Sequence, residues 1–300
     1  MAYRGAFYYL AGLVFLTLAK AKHTLQGYST PKPFPLSETD RAITYDAVVV
    51  QDWLAQLQVY TGQQDLRGKS VLELGPGSDL GIGLILLARG AARYSACDVH
   101  DLATKVPPAF YEALFTRLPE LTGSSDIETL REDLAAVTAG RPARLNYVVR
   151  EDFNLAAAFG TNTVDVVFSN AAFEHFDDIE RTVELLTAVC KPGAVIVAMI
   201  DLQTHSRWIR EKDPNNIYRY ADPIYRVFHF RGSPNRKRPH EYAAAFRRNG
   251  WQDITLTPLT TTTEHYPHAP PGVTRRFANS ASQMEYLSVA LCARKPAPGH

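Results

Sequence analysis

Cysteine is scarce in this chain. Cys97, Cys190 and Cys292 are the three present, odd in number, far apart and set in apolar segments. That pattern excludes a disulfide framework, and no Cys/His spacing suggests a metal site, so none is expected. It predicts buried free thiols and hence a reducing compartment, which points to the cytoplasm. Charge of one sign is lacking as well. Thirty-two basic residues stand against 31 acidic ones, a net charge of +1, so no global field draws in nucleic acid and none is expected as a partner. Internal repeats are absent. Long apolar runs are absent too: the longest, Ala6 to Ala19, is about 14 residues, short of the ~20 that span a bilayer as a helix.

That N-terminal run leaves three readings open. It is a helix docked on a membrane surface or on a second copy of the chain, an export signal ending near Ala19-Lys20-Ala21, or a helix of the core. Residues 22–42, with Pro31, Pro33 and Pro35, read as an extended linker. The expected organisation is therefore an N-terminal helix and linker over 1–42, a main domain over 43–295, and a disordered tail over 296–300.

What the chain has is a sequence of strand-and-helix units. Ile43, Ala47, Val50, Leu54 and Leu57 form one apolar helix face. Val71, Leu72 and Leu74 then read as a buried strand, followed by the turn Gly75-Pro76-Gly77 and a helix through Leu80, Leu84 and Leu87 that Gly90 stops. A glycine turn between strand and helix lets a ligand approach the backbone, and free amides at the helix start favour negative charge. Residues 93–98 form a second strand ending in Asp98, roughly 20 residues beyond the turn, which suits a carboxylate holding ribose hydroxyls. Leu145 to Val149 is a third strand, with Asp152 and Phe153 beyond it, and Val164 to Asn170 a fourth. Asp177-Asp178 opens a helix that Lys191-Pro192-Gly193 ends, and Ala194 to Ile200 is the fifth strand, with Asp201 and His205 past its end. Segments 251–257 and 285–292 complete the sheet. The expected fold is α/β, a doubly wound, mostly parallel seven-stranded sheet flanked by helices. Two insertions, about 99–142 and 202–240, are expected to form lid or substrate walls.

Val71-Leu72-Glu73-Leu74-Gly75-Pro76-Gly77, Asp98, Asp152, the segment Asp165 to Phe176 and Lys191-Pro192-Gly193 occur in an order that resembles the class I S-adenosylmethionine-dependent methyltransferases. A dinucleotide dehydrogenase fits less well, because Leu80 stands where the third fingerprint glycine belongs. The resemblance implies S-adenosyl-L-methionine as cofactor, with Glu73, Gly75, Pro76, Gly77, Asp98, Asp152, Phe153 and Asn170 around it. Gly75 and Gly77 would pass the methionine part, Asp98 would hold the ribose, and Asp152 with Phe153 would meet the adenine. The second insertion looks like that of a subgroup associated with sugar and polysaccharide biosynthesis. This implies a small-molecule or glycan acceptor, with Tyr218, Arg219, Tyr220, Asn235 and Arg236 as candidates to bind it.

Methyl transfer to a hydroxyl needs alignment and a proton acceptor, for which histidine is suited. His205 and His175 follow the fifth and fourth strands, and Asp201 is placed to orient either one. Amino-group methylation of a nucleobase is disfavoured, since Ala171-Ala172-Phe173 rather than two prolines and an aromatic follow Asn170. The alternatives are a non-catalytic binding or scaffold protein of the same fold and, third, a NAD-dependent oxidoreductase.

Overall fold

The computed structural model describes residues 2–27, 34–263 and 270–297. Pro31, Pro33 and the last residues of the expected tail lie outside them. Helix α1 (Ala2–Gln26) precedes α2 (Thr39–Thr61), and the alternating part begins with β1 (Ser70–Leu74), α3 (Gly81–Ala88) and β2 (Arg93–Asp98). The first insertion contributes α4 (Pro108–Thr122) and α5 (Ile127–Thr138), followed by β3 (Leu145–Val149), α6 (Leu155–Phe159) and β4 (Val164–Asn170). Next come α7 (Ile179–Val189) and β5 (Cys190–Asp201). The second insertion carries α8 (Arg207–Lys212) and α9 (Asp222–Phe228), and α10 (Pro239–Arg248), β6 (Gln252–Thr261) and β7 (Tyr286–Arg294) close the chain.

The seven strands lie in the order β3-β2-β1-β4-β5-β7-β6. β1 to β5 are parallel, and β7 inserts antiparallel between β5 and β6. Strand order reverses between β1 and β4, so the crevice beyond their carboxyl ends is where an open sheet of this kind takes a ligand.

Alternation along the strands divides the core in two. On one face, Val71, Tyr94 and Phe168 pack under α2 to α5, and on the other Leu72, Leu74 and Val167 pack under α6, α7 and α10. Trp53 of α2 stacks on Phe168 with ring centroids 4.8 Å apart, and its indole donates to the Ser169 carbonyl at 3.3 Å. Cys97, Cys190 and Cys292 are buried free thiols, as expected.

The first insertion packs beside α2 and α3, and Tyr111 of its α4 reaches the Leu80 amide behind the glycine turn. One expectation is corrected here. The N-terminal helix is much longer than residues 6–19 and runs unbroken through Ala19-Lys20-Ala21 into the expected linker. One face of α1 docks on the second insertion: Tyr9, Leu13 and Leu16 pack on a small third core of Ile217, Tyr218, Tyr220, Tyr225, Phe277 and Met284. Its opposite stripe, Phe7, Leu10, Val14 and Leu18, remains exposed. Among the described residues no helix is long and apolar enough to cross a membrane.

Candidate active site

The glycine turn after β1 requires glycine for steric reasons. Gly75 and Gly77, flanking Pro76, have φ of +71° and +78°, and a Cβ on Gly75 would lie 2.8 Å from the Ala172 Cβ. The helix start behind the turn differs from expectation. Asp79 Oδ1 accepts from the Gly81 amide at 2.9 Å, and Tyr111 Oη accepts from the Leu80 amide at 3.3 Å. Two amides at the helix start, those of Leu80 and Gly81, are thus already used by the chain's own side chains.

Acids crowd this turn instead. Glu73 is buried in β1 and accepts a short hydrogen bond from Tyr94 Oη. Burial, with the charges of Asp79 and Asp98 added, pushes its carboxyl up to about 8. Asp46 of α2 and Asp79 face each other, and burial raises both. Asp98, at the end of β2, is raised by burial against the opposing pull of neighbouring amides, including that of His100 at 3.0 Å. Glu73 is thus protonated at neutral pH, and a cationic ligand beside these carboxyls would favour their charged forms.

Asp46 and Asp79 were not foreseen as part of this site. Asp46 sits three residues after Ile43, within the apolar helix face, and a lone acid in such a face is the signal that was legible. Tyr45, one residue earlier, was missed as well: its hydroxyl accepts from Asn170 Nδ2 at 3.0 Å. Asp152 does not stand free for an adenine amine. Arg150 grips both its oxygens at 2.8 Å and holds the carboxyl below its usual range. Phe153 turns inward at a φ of +50° and packs 5.0 Å from Phe176.

Beyond β4 and β5 the chain brings His175 and His205 together. His175 ends a short 3-10 turn, Phe173–His175, and its Nε2 lies 3.2 Å from Nε2 of His205 with the rings perpendicular. The outer nitrogens are both spoken for: His175 Nδ1 donates to the Gly232 carbonyl at 2.6 Å and His205 Nδ1 to that of Gln203 at 3.1 Å. Those carbonyls set the tautomers, leaving the two Nε2 atoms as lone pairs. Asp201, expected to orient a histidine, is instead engaged by the Gln203 amide at 3.0 Å and by Arg210 at 2.5 Å. Burial, reinforced by His205, lowers His175 to about 4, and burial lowers His205 too, so both rings are neutral at neutral pH.

The histidine pair opens on a cavity of about 490 Å³ whose walls are α1 and the second insertion, among them Phe15, Leu16, Ile209, Tyr225, Phe228 and Phe230. The expected acceptor-binding residues are not its polar walls. Tyr218 and Tyr220 are buried and donate to the carbonyls of Leu202 and Tyr9. Arg219 is paired with Asp213, and Asn235 donates to the carbonyls of Phe173 and Phe176. Arg236 and Arg238, only 3% and 0% exposed, hold loop carbonyls together, and Lys237 reaches Glu241. Arg236 and Arg238 are thus internal scaffolding, because both guanidiniums fold back onto backbone oxygens.

Residues 45–256 match the model of a family described as a methyltransferase domain. No curated protein sequence gives a significant match. Among solved structures, the chain is similar to the CurJ carbon methyltransferase (13% identity, 84% of this chain and 54% of that one, TM-score 0.44). It is similar to phosphoethanolamine N-methyltransferase 2 of Haemonchus contortus, solved with S-adenosyl-L-methionine (15% identity, 82% and 52%, TM-score 0.44). A SAM-dependent methyltransferase of Archaeoglobus fulgidus gives 14% identity, 82% and 94%, and a TM-score of 0.43. The chain spans about half the length of the first two.

Proposed function

Because the chain belongs to the methyltransferase-domain family, we propose that it methylates a hydroxyl of a small-molecule acceptor held in the cavity beneath α1. S-adenosyl-L-methionine is its cofactor. The crevice fits that group: the glycine turn gives the close backbone approach, and the four carboxyls around it suit a cationic ligand. Asp98 at the end of β2 is the residue we assign to the ribose. When bound, the cofactor supplies a methyl group already activated on a positively charged sulfur.

The observation that carries the acceptor assignment is the neutral histidine pair facing the cavity. The chain's own task is to align a hydroxyl and accept its proton. His205, the more exposed ring, offers its Nε2 lone pair to that proton, while the Gln203 carbonyl holds the opposite N–H. His175 stands behind it. The aromatic and aliphatic walls support an acceptor with an apolar body in preference to a glycan, since a sugar would leave its hydroxyls unpaired there. The buried free thiols support a cytoplasmic location.

The test is release of the demethylated cofactor from S-adenosylmethionine with a panel of acceptors. Aromatic and aliphatic alcohols are expected to turn over, and turnover with sugars alone would contradict the cavity assignment. His205→Ala is expected to keep cofactor affinity and lose ~10²-fold or more in rate. Full turnover in that variant would remove His205 from the chemistry, and cofactor binding with no turnover of any acceptor would favour the scaffold reading.

A further inference from the structure

We propose that Glu174, His175 and His205 form a binding site for one divalent transition-metal ion, of which zinc is the best fit, at the floor of the acceptor cavity. Three features converge on it. The two Nε2 atoms face each other at 3.2 Å with both Nδ1–H groups committed to carbonyls, so two lone pairs oppose one another with no hydrogen between them. Two nitrogens bound at about 2.0–2.1 Å to one tetrahedral ion stand about 3.3 Å apart, which matches the spacing found. The third feature is Glu174. Its carboxylate is 2% exposed, and neither oxygen has a hydrogen-bond partner among the described residues. A buried carboxylate with no partner is costly unless it takes up a proton or something cationic faces it, and burial does raise Glu174 well above its usual range.

The ligand atoms of the three residues lie within 4.8 Å of one another. Ligands on one tetrahedral ion stand about 3.3 Å apart, so the Glu174 side chain closes by up to about 1.5 Å on binding. Two imidazoles and a carboxylate, with the remaining position open, are the donor set of zinc sites that act on a bound oxygen. The carbonyls of Gly232 and Gln203 already provide the outer contacts that orient ligating histidines. The open position faces the cavity, which His175 and His205 line. The absence of a motif in the sequence has a plain cause: Glu174 and His175 are adjacent, and His205 arrives from a separate loop beyond β5.

This inference rests on the proposed function and changes one role in it: with zinc bound, the His205 Nε2 lone pair is a ligand, an acceptor oxygen on the ion would lose its proton to water, and His205 would be the base only in the metal-free protein. The experiment does not depend on turnover. Untagged full-length protein is stripped with a chelator, checked for an unchanged melting curve with S-adenosylmethionine, and titrated with zinc by calorimetry and with cobalt by visible absorption. The expected result is one equivalent of tightly bound zinc and a cobalt spectrum of low-symmetry, nitrogen-containing coordination. His205→Ala, at an exposed position that should fold, and Glu174→Gln, which keeps the buried volume, should each weaken binding at least tenfold. No stoichiometric uptake, or uptake unchanged in both variants, overturns the site. Turnover by metal-free protein that takes up no zinc would leave the methyltransferase reading standing while the metal site falls.

Discussion

Glu73 shows how a single residue links the crevice to solution conditions. Its neighbours are Tyr94, Asp79, Asp98 and, from α2, Asp46, and burial holds its folded-state carboxyl at about 8 against an ordinary 4.5. Between those values the folded chain binds a proton that the unfolded chain has released, so stability falls as pH rises through that window. Glu73→Gln retains an acceptor for Tyr94 and removes the titration. Melting curves across this range should decline less steeply for the variant, and identical slopes would contradict the burial argument. Arg238 makes the opposite point about a charge whose role is structural. Its guanidinium serves the carbonyls of Ser282, Gln283 and Tyr286 and the Tyr218 hydroxyl. Arg238→Ala leaves those groups buried and unpaired and should cost about 3 kcal/mol or more in denaturant unfolding. A variant of native stability would contradict that structural role. Asp98 was legible because its place at a strand end follows from local pattern. The fate of Arg236 and Arg238 was not, since it depends on loops that meet only in the fold.

Among the elements, the strands and the glycine turn were the most readable. Alternation and turn chemistry are local, and β1 to β5 lie close to where the apolar runs place them. The insertions were readable as helices but not as to position, because an amphipathic helix does not say which neighbour it covers. α1 is the clearest case. Its apolar run invited a membrane or signal reading, whereas half of it completes the third core through residues more than 200 positions away. Gly12 is where the two parts meet: a Cβ there would collide with Asn216 Oδ1 and Tyr220 Oη. Those groups are themselves hydrogen-bonded to each other and to the α1 backbone. Gly12→Val should therefore lift α1 from the insertion at a cost of about 1–3 kcal/mol and open the cavity. Limited proteolysis should cut near α1 in the variant while S-adenosylmethionine affinity is kept. Equal protease resistance of the two proteins would mean that α1 is not docked as described.

For the whole molecule, the two halves of the proposed site sit on consecutive strand ends. The acid-lined crevice follows β1 and β2, and the histidine pair follows β4 and β5. A fold of this order could house a dinucleotide as readily as S-adenosylmethionine, and the helix start decides between them. Asp79 caps the Gly81 amide that a pyrophosphate would need. The most direct test of that account is thermal unfolding with S-adenosylmethionine, its demethylated product or NAD, each at about 100 times its dissociation constant or at the solubility limit. A bound ligand at that level adds ~2.7 kcal/mol, an easily read rise in Tm. The account predicts a rise with S-adenosylmethionine and its product, none with NAD, and loss of the rise in Asp98→Ala, where a charge-assisted hydrogen bond of ~1.5–3 kcal/mol is gone. A rise with NAD alone would contradict it.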